Sequence, residues 1–150
     1  MKPIPFIDFS FQTKAIYSSI QKEWSKIVNN SSFVMGEYLN GFEENFSLFT
    51  GIKHTVGVGN GGDAIELALR SLNLPKNSKI LLPVNTFIAT ATAVNRAGYD
   101  VKFVDVNKKD ALVNLENLFS NRLTNISCII PVHLFGSMVD VNLLRKNLDK

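Results

Sequence analysis

A run of β-branched residues at 55–58 hands over to an amphipathic helix pattern through the turn Gly57-Val-Gly-Asn-Gly-Gly-Asp63. A strand-to-helix junction of this kind presents bare backbone N–H groups to an anion, and the helix dipole adds attraction. Glycines there let the main chain come close to the bound group. The turn points to an α/β fold and to a phosphorylated ligand.

Upstream of the turn the pattern is helical only. Ile16, Ile20, Trp24 and Ile27 recur at helical spacing over residues 13–28. Leu39, Phe42, Phe46 and Phe49 form a second stripe that closes at Thr50-Gly51. Downstream, strand and helix patterns alternate. Residues 79–82, 101–104 and 127–131 join 55–58 as apolar strand runs. Residues 63–72, 86–97, 114–119 and 141–148 read as helices, with Gly98 stopping the second of them. The expected fold is α/β: N-terminal helices, then a mainly parallel, helix-covered sheet built from four strand–helix units.

A chain of 150 residues is ordinarily one domain with a sizeable core. Its formal charge of +3 is spread along the length, and the only adjacent basic pairs are Lys108-Lys109 and Arg145-Lys146. That pattern lacks the basic stripe nucleic-acid binding needs. The N-terminal Lys2-Pro-Ile-Pro has no apolar signal region and no stretch is long enough to span a membrane, so the expectation is cytoplasmic. Cys128 lies in an apolar run and reads as a buried thiol. His54 and His133 stand far apart without ligand spacing, and no metal site is expected.

Gly57, Gly59 and Gly62 formally satisfy the dinucleotide fingerprint G-x-G-x-x-G. The fingerprint also wants an acidic residue about 20 residues on, at the end of the next strand. Here that strand ends at Leu82-Pro83, and the first acidic strand-end residue is Asp105, a full unit later. Two helices also precede the turn, which a dinucleotide domain does not usually allow. Taken alone, the segment leaves a ligand-free tight turn open as well.

Other segments add to the turn. They are Ile7-Asp8, Gly36 with Phe42-Glu43, Asn60-Gly-Gly-Asp-Ala-Ile65, Pro83-Val-Asn-Thr-Phe-Ile-Ala-Thr90, Phe103-Val-Asp-Val106 and Pro131-Val-His-Leu-Phe-Gly136. In this order, along essentially the whole chain, they resemble the DegT/StrS family of pyridoxal-phosphate (PLP) sugar aminotransferases, of fold type I. The resemblance implies that Asn60, Gly61, Gly62 and Asp63 hold the cofactor phosphate through main-chain N–H groups. It implies that Phe87 stacks on the pyridine face, that Asn85 and Thr86 shape the turn, and that Thr90 faces the site. Without it, Phe87 reads as an ordinary core residue. His133 is a substrate-side candidate, with a purely structural histidine equally open. Asp105 reads as a turn cap without chemistry.

Two positions depart from the pattern. The family usually has threonine where this chain has Gly62, and the missing hydroxyl bond to a charged group is worth about 1.5–3 kcal/mol, roughly tenfold in affinity. Asp63 beside a phosphate is repulsive unless its carboxylate turns back onto its own helix N–H groups.

The resemblance further implies a parent enzyme that transfers an amino group from an amino acid, glutamate in most of the family, to a nucleotide-linked keto-sugar. The product is an amino sugar for polysaccharide or glycan synthesis, and the enzyme is a homodimer. Residues 1–150 correspond to the N-terminal part of the PLP-binding large domain, an incomplete PLP-transferase type I large domain. The Schiff-base lysine, the aspartate that pairs with the pyridine nitrogen and the small domain are expected beyond residue 150, so no catalytic residue is assigned within the chain. Two alternatives stand beside this one: a PLP- or pyridoxamine-dependent sugar dehydratase, with histidine replacing that lysine, and a non-catalytic half-domain. The chain alone is expected to be inactive, marginally stable and prone to aggregate along an open sheet edge.

Overall fold

The computed structural model describes residues 3–120 and 125–148, and the chain divides into two compact units, Met1–Gly57 and Val58–Lys150.

The first unit holds two helices, α1 (Ser10–Asn29) and α2 (Glu37–Thr50). α1 begins three residues before the expected start, because the Asp8 carboxylate accepts the Ser10 N–H at 2.8 Å and satisfies an otherwise orphan donor. α2 is bracketed by glycines, Gly36 at φ +88° and Gly51 at φ +71°, in backbone that side-chain-bearing residues rarely adopt. Its apolar stripe is an aromatic ladder, with Phe42 and Phe46 centroids 5.6 Å apart and Phe46 and Phe49 6.4 Å apart. Neither helix contains a buried residue, and Ile16, Ile20 and Trp24 all remain more than half exposed.

Residues 55–58 are not a strand, which corrects the sequence expectation. A strand exists only where its backbone groups pair with a neighbour. Here the Gly57 N–H donates instead to the Glu43 carboxylate at 2.7 Å, and a Cβ at Gly57 would overlap Leu39 Cδ1. The α/β pattern therefore has three strands among the described residues.

The second unit runs α3 (Gly61–Ser71), β1 (Lys79–Pro83), α4 (Ile88–Arg96), β2 (Asp100–Val104), α5 (Leu115–Ser120), β3 (Ile126–Ile129) and α6 (Val141–Leu148). The sheet order is β2-β1-β3 and both pairings are parallel. β1 and β2 match residue for residue, whereas β3 slips after its first pair: Lys79 faces Ile126 but Ile80 faces Cys128, leaving Ser127 extra. Central β1 is apolar throughout after Lys79, as a strand covered on both faces must be.

Alternation along the strands feeds two cores. Ile80 and Leu82 point to one face, where Leu69 of α3 and Ala91 and Val94 of α4 cover them. Leu81 points to the other, against Leu118 of α5 and Leu144 of α6. Ile80 and Leu82 are fully buried, and each such side chain contributes about 1.5–3 kcal/mol. A smaller cluster of Leu112, Val113 and Val139 lies beside the second core. Helix α4 starts at Ile88, two residues later than the sequence pattern, because Phe87 is extended at φ −67° and ψ 138°. Among the described residues no helix is long and apolar enough to cross a membrane.

Candidate functional site

Asn60 caps α3 from an extended backbone, and its Oδ1 accepts the Asp63 N–H at 3.0 Å. The first helical bond runs from the Ala64 N–H to the Asn60 carbonyl at 3.1 Å. Nothing among the described residues accepts from the N–H groups of Gly61 or Gly62. Two adjacent free donors at the positive end of an eleven-residue helix form an anion-binding arrangement.

The second half of the site comes from the turn between β1 and α4. Its backbone tightens through the Thr86 N–H donating to the Val84 carbonyl at 3.1 Å, and the Thr90 N–H donating to the Phe87 carbonyl at 3.0 Å. The Thr90 hydroxyl is buried and needs a partner; it finds the Thr86 hydroxyl at 3.0 Å. Phe87 stays 77% exposed. A large apolar ring held open at a strand's C-terminal end is not part of the core.

The two halves meet because both helix starts carry small residues. A Cβ at Gly62 would sit 3.7 Å from Ala89 Cβ and 3.1 Å from Asn60 Oδ1. Asn60, Gly61, Gly62, Phe87, Ala89 and Thr90 line one pocket of about 470 Å³ together with Ile65. That is the scale of a small-molecule site. Its free N–H groups suit a phosphate and its exposed ring suits a planar heterocycle. The glycine cradle fits such a group because the N–H groups of Gly61 and Gly62 have no acceptor among the described residues.

Of the residues singled out in the sequence, Asn60, Gly61, Gly62, Phe87 and Thr90 line this pocket. Asp63 follows Gly62 in the same helical turn, and its carboxylate bonds side chains rather than the N–H groups of its own helix: Oδ2 accepts from Asn60 Nδ2 at 2.8 Å, and Oδ1 lies 3.3 Å from Arg96 Nη2. His133 does not line the pocket. It lies on the loop after β3, the neighbour of β1, and its Nδ1 accepts the Val139 N–H at 3.0 Å, which leaves Nε2 as the nitrogen that carries the proton in the neutral ring. The Asp105 carboxylate accepts the next residue's N–H at 2.8 Å, as a turn residue does. Arg96 was missed by sequence reading; its only signal was a basic residue in the last turn of α4.

Residues 14–150 match the profile of the DegT/DnrJ/EryC1/StrS aminotransferase family. The chain is 32% identical over 138 residues to the UDP-N-acetyl-3-dehydro-alpha-D-glucosamine 3-aminotransferase of Acidithiobacillus ferrooxidans, covering 92% of this chain and 37% of that protein. S. venezuelae DesV, solved in complex with a ketimine intermediate, superposes with a TM-score of 0.90 at 26% identity, covering 99% of this chain and 40% of that one. The E. coli GDP-4-keto-6-deoxy-D-mannose-3-dehydratase, solved with bound hydrated PLP, gives a TM-score of 0.75 at 25% identity over 97% of this chain and 37% of that one. The chain thus spans well under half the length of the relatives it matches. Its helices and parallel sheet have the PLP-transferase fold over that part.

Proposed function

The chain belongs to the DegT/DnrJ/EryC1/StrS aminotransferase family, and from that premise we propose that it forms the N-terminal part of the PLP-binding large domain of a sugar aminotransferase. The whole protein takes an amino group from an amino acid, glutamate by preference, and delivers it to a nucleotide-linked keto-sugar in amino-sugar and polysaccharide synthesis. We assign it to the cytoplasm and to a homodimer, for which the uncovered apolar stripes of α1 and α2 are the support. The observation that carries the reading is the convergence of two free N–H groups, at Gly61 and Gly62, with the exposed face of Phe87 in one pocket.

Gly61 and Gly62 would hold the cofactor phosphate by main-chain donation, and Asn60 keeps the helix start rigid by capping Asp63. Phe87 would cover one face of the pyridine ring and fix its tilt, while the Thr86–Thr90 hydroxyl pair keeps that turn in shape. Bound there, PLP would supply an aldehyde that accepts and returns an amino group and an electron-withdrawing ring that stabilises the charge developed in doing so. The lysine and aspartate of that chemistry belong to chain beyond residue 150.

Reading the DNA after codon 150 and expressing the complete frame tests this. The whole protein is expected to keep PLP through gel filtration as a dimer. Given glutamate and a nucleotide-linked keto-sugar, it should release 2-oxoglutarate. Failure to retain PLP would sink the reading. The likeness to the dehydratase supports a second outcome, a deoxygenated rather than aminated sugar, with histidine at the lysine position.

A further inference from the structure

Asp63 poses an electrostatic problem for any phosphate at Gly61 and Gly62, since it puts a carboxylate in the same helical turn. Its two oxygens are both engaged. Oδ2 accepts from Asn60 Nδ2 at 2.8 Å, in exchange for the Asp63 N–H donated to Asn60 Oδ1 at 3.0 Å. Oδ1 faces Arg96 Nη2 at 3.3 Å.

Arg96 is itself aimed. Its Nε lies 2.8 Å from Glu66 Oε2, and the Glu66 side chain is only 13% exposed. Glu66 Oε1 also accepts from Arg70 Nε at 2.9 Å, and Arg70 Nη2 donates to the Arg96 carbonyl. Asp63, Glu66 and Arg70 recur at helical spacing on one side of α3, so two carboxylates and two guanidinium groups balance across the α3–α4 seam. This is the helix pair whose N-terminal ends carry the glycine turn and Phe87.

Resting on the phosphate-cradle reading above, we propose that Arg96 is a positioning residue for the cradle, acting through Asp63. Its guanidinium draws the Asp63 carboxylate off the phosphate and cancels its charge. The carboxylate, so held, fixes the Asn60 carboxamide that caps the helix. A merely structural ion pair at a half-exposed arginine would change stability slightly and ligand affinity for every ligand alike.

The test is a double-mutant cycle in the whole protein, read as the dissociation constants of PLP and of pyridoxal, which lacks the phosphate. Arg96→Gln is expected to weaken PLP about tenfold and leave pyridoxal unchanged. In an Asp63→Asn background the same change should cost less than about threefold, because no charge remains to be neutralised. Arg96→Lys, which keeps the charge and guards against a folding defect, should recover part of the loss. Equal losses for PLP and pyridoxal, or an undiminished loss in the Asp63→Asn background, would overturn the proposal. A wild-type protein with no preference for PLP over pyridoxal would instead overturn the cradle reading beneath it.

Discussion

Glu43 accepts the Gly57 N–H at 2.7 Å across fourteen residues of chain, and this bond takes the donor that a strand at 55–58 would have offered a neighbour. Both groups are partly buried, and a hydrogen bond to a charged group contributes about 1.5–3 kcal/mol. Glu43→Ala is expected to destabilise the first unit by that amount and to speed hydrogen exchange at the Gly57 amide. Unchanged exchange at Gly57 would show that the bond does not hold in solution.

Phe87 separates ligand binding from folding. Because it is 77% exposed, Phe87→Ala should cost less than about 1 kcal/mol of stability. Leu82→Ala in the buried strand β1 should cost about 2–5 kcal/mol. Stacking beyond area is worth about 0.5–1.5 kcal/mol, so PLP affinity of the whole protein should fall about two- to tenfold in Phe87→Ala. Equilibrium dialysis beside thermal melts measures both, and full affinity in Phe87→Ala would return the ring to a role without ligand.

Gly62 has no positive φ, so a side chain is tolerated by the backbone there. A Cβ would press on Asn60 Oδ1 at 3.1 Å, and Gly62→Ala should therefore weaken PLP slightly. Gly62→Thr adds a hydroxyl to the phosphate, and should bind PLP about tenfold more tightly than Gly62→Ala. Equal affinities in the two variants would show that no phosphate oxygen lies within reach of residue 62.

Burial against the α3–α4 side of the sheet raises the Cys128 thiol above its usual pKa, more than the Ile129 carbonyl bond affects it. A raised pKa leaves less thiolate at mildly alkaline pH. Cys128 should react with iodoacetamide far more slowly in the folded protein than in denaturant. Equal rates would mean that β3 opens readily.

The order of elements was legible because a strand run such as residues 80–82 is apolar on both faces while the helices carry one stripe, and those periods belong to the local chain. The glycine turn and Phe87 were legible as candidates because their motif order matches a family. Residues 55–58 were misread because β-branched composition records a preference, whereas a strand needs a partner backbone, and Glu43 took the Gly57 donor. Arg96 left no local mark, since its meaning lies in Asp63 and Glu66 on another helix, 33 and 30 residues earlier in the chain. The sequence by itself determined the helices, the three strands that do form among the described residues and the chemistry of the turn. Only the tertiary structure decided which strands pair, that Phe87 shares a pocket with Gly61 and Gly62, and which charge answers Asp63. Hydrophobic period is a property of neighbours along the chain; pairing and charge balance are properties of neighbours in space.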